Sequence, residues 1–287
     1  MVMGCTSAYS MTNNNSERIL RPTRGLVSVN LGELWRFREL LGLLAWRDVL
    51  VRYKQTYLGI AWAVLQPLLT MLVFSLFGRT LSLENWGAPY TILVLAGLLP
   101  WQFFSNALSE SSNSLVASAR IISKVYFPRL IIPISAVLSG TIDVMIATVL
   151  LLIMMPFYGV GFRPHLLLLP LFFVAAFLPA FAVGVWFSAL NVKYRDVRYV
   201  VPFLTRIGMY VAPVAFLWQA IVPAKYWLLY HLNPLVGVID GFRWCVLGDR
   251  FAPWWPGFWM GMGLTLVVLL GGLVYFRQVE KTFADLV

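Results

Sequence analysis

The sequence predicts an all-α integral membrane protein with six transmembrane helices. Of its 287 residues, 60% are hydrophobic and only 12% are charged, and the mean hydropathy is +0.78. Soluble domains are nearer half apolar and a quarter charged. Six apolar segments of 19 to 28 residues occur in succession, each long enough to cross a hydrocarbon core of about 30 Å as a helix. These segments cover residues 58–77, 90–108, 130–157, 166–190, 200–218 and 258–276.

Two regions precede the six-helix membrane domain, which we place at residues 58–287. Residues 1–30 are rich in Asn and Ser, and we expect them to form a flexible cytoplasmic tail. Residues 31–57 repeat apolar side chains at spacings of three and four, for example at Leu34, Phe37 and Leu41. This pattern predicts an amphipathic helix that lies in the membrane interface. The alternative is an ordinary soluble helix that packs against a neighbour.

The distribution of positive charge predicts the orientation in the membrane. Seventeen of the 22 Lys and Arg residues fall on the side of the N-terminus, and five fall on the other side. Cytoplasmic segments carry the excess of Lys and Arg, and six crossings return the chain to the side where it began. Both termini are therefore expected in the cytoplasm. The net charge of +10 reflects this topology rather than nucleic-acid binding.

The sequence lacks the motifs of an enzyme. The pair Gly-Lys never occurs, so a phosphate-binding loop of the Walker type is absent from this sequence. The patterns H-E-x-x-H, G-x-S-x-G and D-x-D are absent too, and the two histidines, His165 and His231, make no metal site by themselves. Two distant cysteines indicate no disulfide framework. We therefore expect no catalysis, no metal and no cofactor in this chain.

Asp143 and Arg206 are the only formal charges inside the six apolar segments. An intramembrane Asp has to face protein or water, and it often belongs to an ion or proton relay. The structural alternative is a hydrogen bond to Ser139, Thr141 or a neighbouring helix. This alternative is favoured because the adjacent segments contain no second acid. Arg206 lies near the start of its segment and can extend to the membrane surface.

The first and fifth segments each carry a face that mixes aromatic and polar side chains. Aromatic rings stack on sugars, and amide or hydroxyl groups exchange hydrogen bonds readily, so such a face suits a polar polymer that must slide without being trapped. Ordinary helix packing is the alternative. The predicted lining consists of Trp62, Gln66, Thr70, Phe74, Phe77, Tyr210 and Phe216.

Two connections between the segments have a character of their own. Residues 110–129 predict a short amphipathic helix that can dock a soluble partner; a solvated connector is the alternative. Residues 219–257 predict two short helices, separated at Asn233-Pro234, which dip into the outer leaflet without crossing it. We expect this region to form an outer gate. Its candidate residues are Asn233, Pro234, Asp240, Arg243 and Trp244.

Three blocks of the sequence together resemble one protein family. They are WRDVLVRYKQTYLGIAWAVLQPLLTMLVFSLFGR at 46–79, AGLLPWQFFSNALSESSNSLVASARIISKVYFPRLIIPIS at 96–135, and the segments NVKYRDVRYVVPFL, APVAF and NPLVGVIDGFRW within 191–244. The blocks resemble the permease subunit of bacterial ABC exporters of surface polysaccharide, the group that handles O-antigen, capsule and teichoic acid. The resemblance extends from Leu31 to the C-terminus.

The resemblance implies a homodimer that works with two copies of a separate ATPase subunit, which would hold ATP and Mg. The substrate would be a polysaccharide on a polyprenyl-diphosphate carrier, or a related glycolipid, exported across the bacterial inner membrane. O-antigen is the first candidate, and capsular polysaccharide and teichoic acid are the alternatives. The resemblance also assigns residues. Arg47, Arg52 and Lys54 would meet the diphosphate at the cytoplasmic entrance. The contacts with the ATPase would be Ser114, Leu115, Ala119, Arg120, Ile122, Lys124, Tyr126, Tyr194, Arg195 and Asp196.

Two other classes of protein remain as alternatives. A secondary transporter would need paired intramembrane charges, and only Asp143 lies deep in an apolar segment. A membrane transferase acting on lipid-linked sugar would need catalytic acids near a membrane face. Asp48, Asp196 and Asp240 are the only acids that such a mechanism could use.

Overall fold

The computed structural model describes residues 31–54, 59–80, 88–122 and 124–280, and over these ranges the protein is all-α. The predicted tail at 1–30 lies outside the described residues. The helices are α1 (Leu31–Arg36), α2 (Arg38–Lys54), α3 (Ala61–Thr80), α4 (Tyr90–Ala117), α5 (Ala119–Ile122), α6 (Ile131–Phe157), α7 (Leu169–Lys193), α8 (Val197–Val211), α9 (Trp218–Ile221), α10 (Trp227–Tyr230), α11 (Pro234–Leu247) and α12 (Trp255–Glu280). Short 3₁₀ turns at Pro164–Leu168, Ala224–Tyr226 and Asp249–Phe251 complete the order.

Five helices are long and apolar enough to cross a membrane: α3, α4, α6, α7 and α12. They coincide with five of the six predicted segments, so the predicted helical fold is confirmed, with five candidate membrane spans. The fifth predicted segment, 200–218, differs from the prediction. Here α8 has 15 residues and ends at Val211, which makes it about 22 Å long and shorter than the hydrocarbon core.

A proline explains why α8 ends early. Ala212 is extended, with φ −72° and ψ 145°, and Pro213 follows it. The residue before a proline is disfavoured in the helical region because the proline ring clashes with its backbone. The sequence pattern alone showed an unbroken apolar run, and Pro213 was the signal for the break.

Side chains from other helices satisfy the backbone where α8 ends. The guanidinium of Arg243 donates to the carbonyl oxygens of Val214 (2.8 Å) and Phe216 (3.0 Å). The hydroxyl of Tyr90 donates to the oxygen of Ala215, which lies between them (2.8 Å). An unpaired backbone carbonyl in an apolar environment costs several kcal/mol. These three donations therefore satisfy the backbone oxygens of the non-helical segment after α8.

Helix α4 occupies the centre of the fold. Its side chains from Ile92 to Leu99 are essentially inaccessible, and it packs against α3, α6, α7 and α11. The face of α7 that meets it has small residues every four positions, at Ala176, Ala180 and Gly184. A Cβ added at Gly184 would lie 2.7 Å from a side-chain oxygen of α4. Small residues allow such close approach where lipid supplies no hydrophobic drive between helices.

The predicted amphipathic helix at 31–57 is divided into α1 and α2, which meet at Phe37; residues 55–57 lie outside the described ranges. Helix α2 packs along α6 and buries Leu44 and Val49. Its other side exposes large apolar side chains, including Trp46 at 58%. The helix therefore has both a protein-facing side and an apolar side that no other described residue covers.

One end of the bundle is basic. Asn191 near the end of α7 donates to the carbonyl of Ser112 near the end of α4 (2.8 Å), so these helices end together. Arg129 before α6 donates to the carbonyl of Glu280 at the end of α12 (2.6 Å). We call this the basic end. The basic residues there are Arg120, Lys124, Arg129, Lys193, Arg195 and Arg277.

The predicted helix between the second and third spans is not a separate element. Helix α4 continues nine residues beyond the predicted end at residue 108, and only the four-residue α5 follows it. Packing explains the extension, because Ser111, Ser112 and Leu115 are completely buried at the α4–α7 contact. Ser and Asn weaken an isolated helix, but tertiary contacts override that preference.

We predict that Gly241→Ala destabilises the protein, whereas Gly263→Ala does not. A Cβ at Gly241 in α11 would lie 2.0 Å from the ring of Phe172, and at Gly263 in α12 it would meet nothing within 4 Å. Overpacking of this kind costs about 1–3 kcal/mol. Thermal unfolding of the purified protein in detergent measures both variants. Equal midpoints for the two variants would contradict the packing of α11 on α7.

Candidate functional site

A polar cavity lies between α2, α3, α4 and α6. Its volume is about 330 Å³. Its charged and amide groups come from four different helices. The lining consists of Arg52, Tyr53, Gly59, Trp62, Ala63, Gln66, Pro67, Leu99, Gln102, Phe103, Asn106, Glu110, Gly140, Asp143, Val144 and Ala147.

Asp143 is bound by two side chains of α2. The guanidinium of Arg52 donates to one carboxylate oxygen, and the hydroxyl of Tyr53 donates to the other. Arg52 also forms an ion pair with Glu110 of α4, at 3.2 Å. Asp143 is the thirteenth residue of the 27-residue helix α6, so this contact lies near the middle of a spanning helix. The hydrogen bond to a neighbouring helix, predicted as the structural role of Asp143, is present.

Burial is the main influence on the pKa of Tyr53, whose phenol lies beside Asp143. Desolvation, followed by the hydrogen bond to the carboxylate, raises the pKa of Tyr53 above its usual range. The side chains of Arg52 and Asp143 are only 25% and 19% exposed. Charged groups with so little contact with water need a partner of opposite charge, and Arg52 and Asp143 neutralise each other. The contact therefore attaches α2 to α6 across 91 residues of sequence.

Three polar residues of α4 line the cavity at intervals of four: Gln102, Asn106 and Glu110. Positions four apart lie on the same face of a helix. The sequence therefore contained a signal for this stripe, but our sequence analysis did not include these residues. Tyr53 was missed as well, and no pattern in the sequence connects it to Asp143.

The predicted lining of α3 lies mostly away from the buried side of the helix, although Trp62 and Gln66 also border the polar cavity. Pro67, Met71 and Gly78 are buried, and a Cβ at Gly78 would collide with the Tyr90 ring at 2.0 Å. On the other side, Trp62 is 52% exposed and Phe77 is 64% exposed. Gln66 is also exposed, while Thr70 and Phe74 are half-buried. The hydroxyl of Thr70 donates to the backbone oxygen of Gln66 (2.8 Å), so it adds no strong polar contact to this face.

Helix α8 presents an exposed aromatic face. The predicted residue Tyr210 is 71% exposed. Phe216 is half-buried beyond the end of the helix, where its backbone oxygen accepts from Arg243. Tyr199 and Phe203, which our sequence analysis did not select, are 76% and 61% exposed. Their spacing with Tyr210, at four and seven residues, was the available signal.

The residues predicted to contact an ATPase surround the basic end. Ser114 and Leu115 belong to the last turns of α4, and Leu115 is completely buried. Ala119 and Ile122 in α5 are half-buried. The accessible members of this group are Arg120, Lys124, Tyr126, Tyr194, Arg195 and Asp196.

The three predicted diphosphate ligands occupy two different sides of α2. Arg47 and Lys54 lie with Trp46 on the exposed side, where they border a shallow groove. Arg47 also pairs with its neighbour Asp48 at 2.7 Å. Arg52 points into the polar cavity instead.

The two short helices predicted in 219–257 are present as α10 and α11. Asn233 caps α11, because its side-chain oxygen accepts from the backbone nitrogen of Leu235 (3.1 Å), and Pro234 begins the helix. The indole of Trp244 donates to Asp249 (3.0 Å). Most of α11 is buried by α4, α7 and α12. Their depth in a membrane stays a prediction.

Asp240 and Arg243 are buried side by side on α11, but they bind different partners. Arg243 donates to the backbone, with a third contact to the Leu93 oxygen of α4 (3.3 Å). Asp240 accepts from the indole of Trp218 (2.6 Å). Burial raises the pKa of Asp240 to about 7, although Arg243 and the hydrogen bond from Trp218 favour its ionised form. Burial also lowers the pKa of the neighbouring His231.

Comparison with known proteins identifies the class. Residues 39–247 match the model of the ABC-2 type transporter family. The chain belongs to this family of membrane transport proteins, which agrees with its spanning helices. Within the described ranges, no three His, Cys, Asp or Glu residues lie close enough together to hold a metal ion.

Curated relatives are similar along nearly the whole chain. The "O-antigen export system permease protein RfbA" of Klebsiella pneumoniae is 28% identical over 261 residues, which cover 90% of this chain and 97% of the relative. The protein of the same name in Myxococcus xanthus is 27% identical over 255 residues, or 88% and 97%. The "Polysialic acid transport protein KpsM" of Escherichia coli is 23% identical over 237 residues, or 82% and 91%.

We predict energetic coupling between Arg52 and Asp143. Arg52→Met or Asp143→Asn alone should each lower the unfolding free energy by about 1–3 kcal/mol, because each leaves a poorly hydrated partner. The double variant should lose less than the sum, with a coupling of about 0.5–3 kcal/mol. The exposed pair Arg47→Met and Asp48→Asn is the matched control, with a coupling below about 1 kcal/mol. Additive losses at Arg52 and Asp143 would show that the contact does not hold α2.

A second prediction concerns the pH dependence set by Asp240. Its pKa rises from 3.8 when unfolded to about 7 when folded, so the folded protein binds the extra proton between these values. The stability from this group is therefore complete below about pH 4 and decreases as the pH rises towards 7. Asp240→Asn keeps an acceptor for Trp218 without titrating. As the pH is raised from 5 to 8, the thermal midpoint of the wild type should therefore fall relative to that of Asp240→Asn.

The comparison of Asp240→Asn with the wild type cancels other titrating groups. His231 has a lowered pKa and gives the opposite slope, since its stability is lost as the pH falls below about 6.5. Electrostatic interactions also connect Arg243 with Asp240, Tyr230 and Tyr90. Apart from Asp240, these residues are common to both proteins, so only the difference between the two pH profiles reports Asp240. Parallel profiles would refute the prediction.

Proposed function

We propose that the chain is the channel-forming permease subunit of an ABC exporter that moves a lipid-linked surface polysaccharide across the cytoplasmic membrane. O-antigen is the first candidate cargo. The observation that carries this proposal is the similarity of nine-tenths of the chain to O-antigen export permeases. The polysialic acid transport relative supports capsular polysaccharide as the second candidate, and teichoic acid would use the same mechanism.

A partner must supply the energy. This sequence contains no phosphate-binding loop, so ATP and Mg would be held by a separate ATPase subunit in two copies. Two ATPase subunits pair with two permease subunits, and the chain would therefore act as a homodimer. In the proposed topology both termini are cytoplasmic, α8 with the extended segment after it makes the fifth crossing, and α12 makes the sixth.

The basic end is the proposed docking surface for the ATPase. Tyr126 is 70% exposed beside Lys124, and Tyr194 is 51% exposed beside Arg195. Both exposed groups lie where α4 and α7 end together. Because α4 is a single helix from Tyr90 to Ala117, with Pro100 in its interior, a movement at this end would be transmitted along the helix towards the opposite end.

The channel would form between two protomers. In the single chain, α3 and α8 expose aromatic and apolar faces that no other described helix covers, including Trp62, Phe77 and Tyr210. Exposed faces of this size meet lipid or another protein chain. Placed against each other in a dimer, the aromatic and amide groups would line a path for a sugar polymer.

The diphosphate of the carrier would bind on the exposed side of α2. Arg47 and Lys54 border the same groove, together with the apolar side chains Trp46 and Leu50. Basic and apolar groups side by side fit an amphipathic carrier. ATP binding would then close the ATPase dimer, move the basic end and open the path. Residues around α10 and α11 would form the outer gate, with Arg243 holding the backbone beside it.

We predict that deleting the gene for this chain stops surface polysaccharide export without stopping synthesis. Polymer on its polyprenyl-diphosphate carrier should accumulate inside the cell. The full chain should restore export only together with an ATPase subunit whose phosphate-binding lysine is intact. Chromatography of intracellular and surface polymer measures both pools. Normal surface polymer in the deletion strain would refute the proposed function.

Charge-reversed variants in the same strain connect this function to the basic end. Arg120→Glu with Lys124→Glu should lose co-purification with the ATPase and leave polymer inside the cell. Arg36→Glu with Arg38→Glu is the matched control, because it reverses two exposed charges where α1 meets α2, outside the proposed docking surface. If the double variant exports normally, this surface is not the docking site.

A further inference from the structure

The polar cavity contains amide side chains that take no part in its two ion pairs, Arg52–Asp143 and Arg52–Glu110. Gln66, Gln102 and Asn106 contribute amide groups. Asp143 lies at mid-helix in α6, so the cavity is sited where apolar residues are the rule. Polar side chains at such a depth generally face protein or a ligand path. These amides are not needed to stabilise Arg52, which already pairs with Asp143 and Glu110.

The charge of the cavity limits its ligands. Two carboxylates, Asp143 and Glu110, face the single guanidinium of Arg52. The three groups sum to one net negative charge, which repels a further anion beside them. The cavity therefore disfavours a diphosphate, and a neutral polar molecule suits it better.

The remaining groups fit a sugar. Amides offer both donors and acceptors, and carboxylates accept from hydroxyl groups. Trp62, half-exposed at the edge of the cavity, supplies a flat ring on which the apolar face of a sugar can stack. The volume of about 330 Å³ lies at the lower end of the range of small-molecule sites, about 300–1,000 Å³. It accommodates a single sugar unit rather than a long segment of polymer.

The position of the cavity connects it to the proposed path. Trp62 and Gln66 line the cavity and also begin the face of α3 that continues to Thr70 and Phe74. We propose that the cavity binds one neutral sugar unit of the polymer inside each protomer, held by Gln102, Asn106 and the carboxylate of Glu110. This inference rests on the proposed function, since it gives the site its substrate class.

Binding to the full chain in lipid nanodiscs tests the inference without sugar-based detergents. The probes are the methyl glycosides of glucose, mannose, galactose, rhamnose and N-acetylglucosamine, with inorganic pyrophosphate as the anionic comparison. Saturation-transfer NMR and titration calorimetry give the Kd values. At least one glycoside should bind with a Kd of millimolar order or below, and pyrophosphate should not compete with it.

Variants of two kinds locate the binding. Gln102→Leu and Asn106→Leu remove amides and should each weaken glycoside binding about threefold to tenfold. Ala63→Phe fills the cavity without removing a polar group and should abolish binding. Gln219→Leu removes an exposed amide of α9, far along the chain from the cavity, and should leave Kd unchanged. Thermal unfolding in the same nanodiscs identifies variants that have lost their fold. If one kind of variant does not fold, the other kind still locates the binding site.

Three results would overturn the inference. They are the absence of binding by every glycoside, glycoside binding that Ala63→Phe leaves unchanged, and pyrophosphate binding that Arg52→Met abolishes. The deletion experiment keeps the proposed function separate. If polymer accumulates in the deletion strain but no glycoside binds, the cavity inference fails and the export function stands. If a glycoside binds but the deletion strain exports normally, the export function fails.

Discussion

A charge inside an apolar bundle has to be neutralised or hydrogen-bonded by protein, and this constraint organises both halves of the structure. Arg52 and Asp143 neutralise each other between α2 and α6, with Glu110 as a further partner. Among the described residues Arg243 forms no ion pair within 4 Å, and it instead donates to backbone oxygens of Val214, Phe216 and Leu93. Leaving any of these groups unpaired would cost several kcal/mol. The polar contacts therefore fix which helices are neighbours.

The two contacts have different structural consequences. The pair at Asp143 attaches a short basic helix to a long spanning helix, and it leaves room for a polar cavity beside the attachment. The contacts of Arg243 allow the chain to leave the helical conformation after Val211, because the freed carbonyls still find donors. A guanidinium suits that role, since its planar fork reaches several oxygens at once. Both contacts leave the exposed faces of α3 and α8 without a described partner helix.

Sequence patterns predicted what depends on local composition and missed what depends on tertiary contact. Five spans follow from length and apolarity, and Pro213 contained the information for the end of α8. The stripe of Gln102, Asn106 and Glu110 was equally available. By contrast, the extension of α4 depends on burial against α7, and the partner of Asp143 lies 91 residues away. Neither could be obtained from one sequence, because many distant pairs satisfy the same charge rule.

The geometry of α2 separates Arg52, which attaches the helix to α6, from Arg47 and Lys54, which are exposed. Our sequence analysis had assigned all three to the diphosphate. At about 100° per residue, Arg47 and Lys54 are seven positions apart and lie on the same side, whereas Arg52 lies about 140° from Arg47. The two exposed cations can therefore attract a phosphate group while Arg52 remains bound to its carboxylates. If Arg52 also served the diphosphate, Asp143 would lose its cation inside the bundle whenever substrate bound. The arrangement avoids that cost, because the cations that can attract a phosphate and the cation that attaches α2 to α6 lie on opposite sides of the helix.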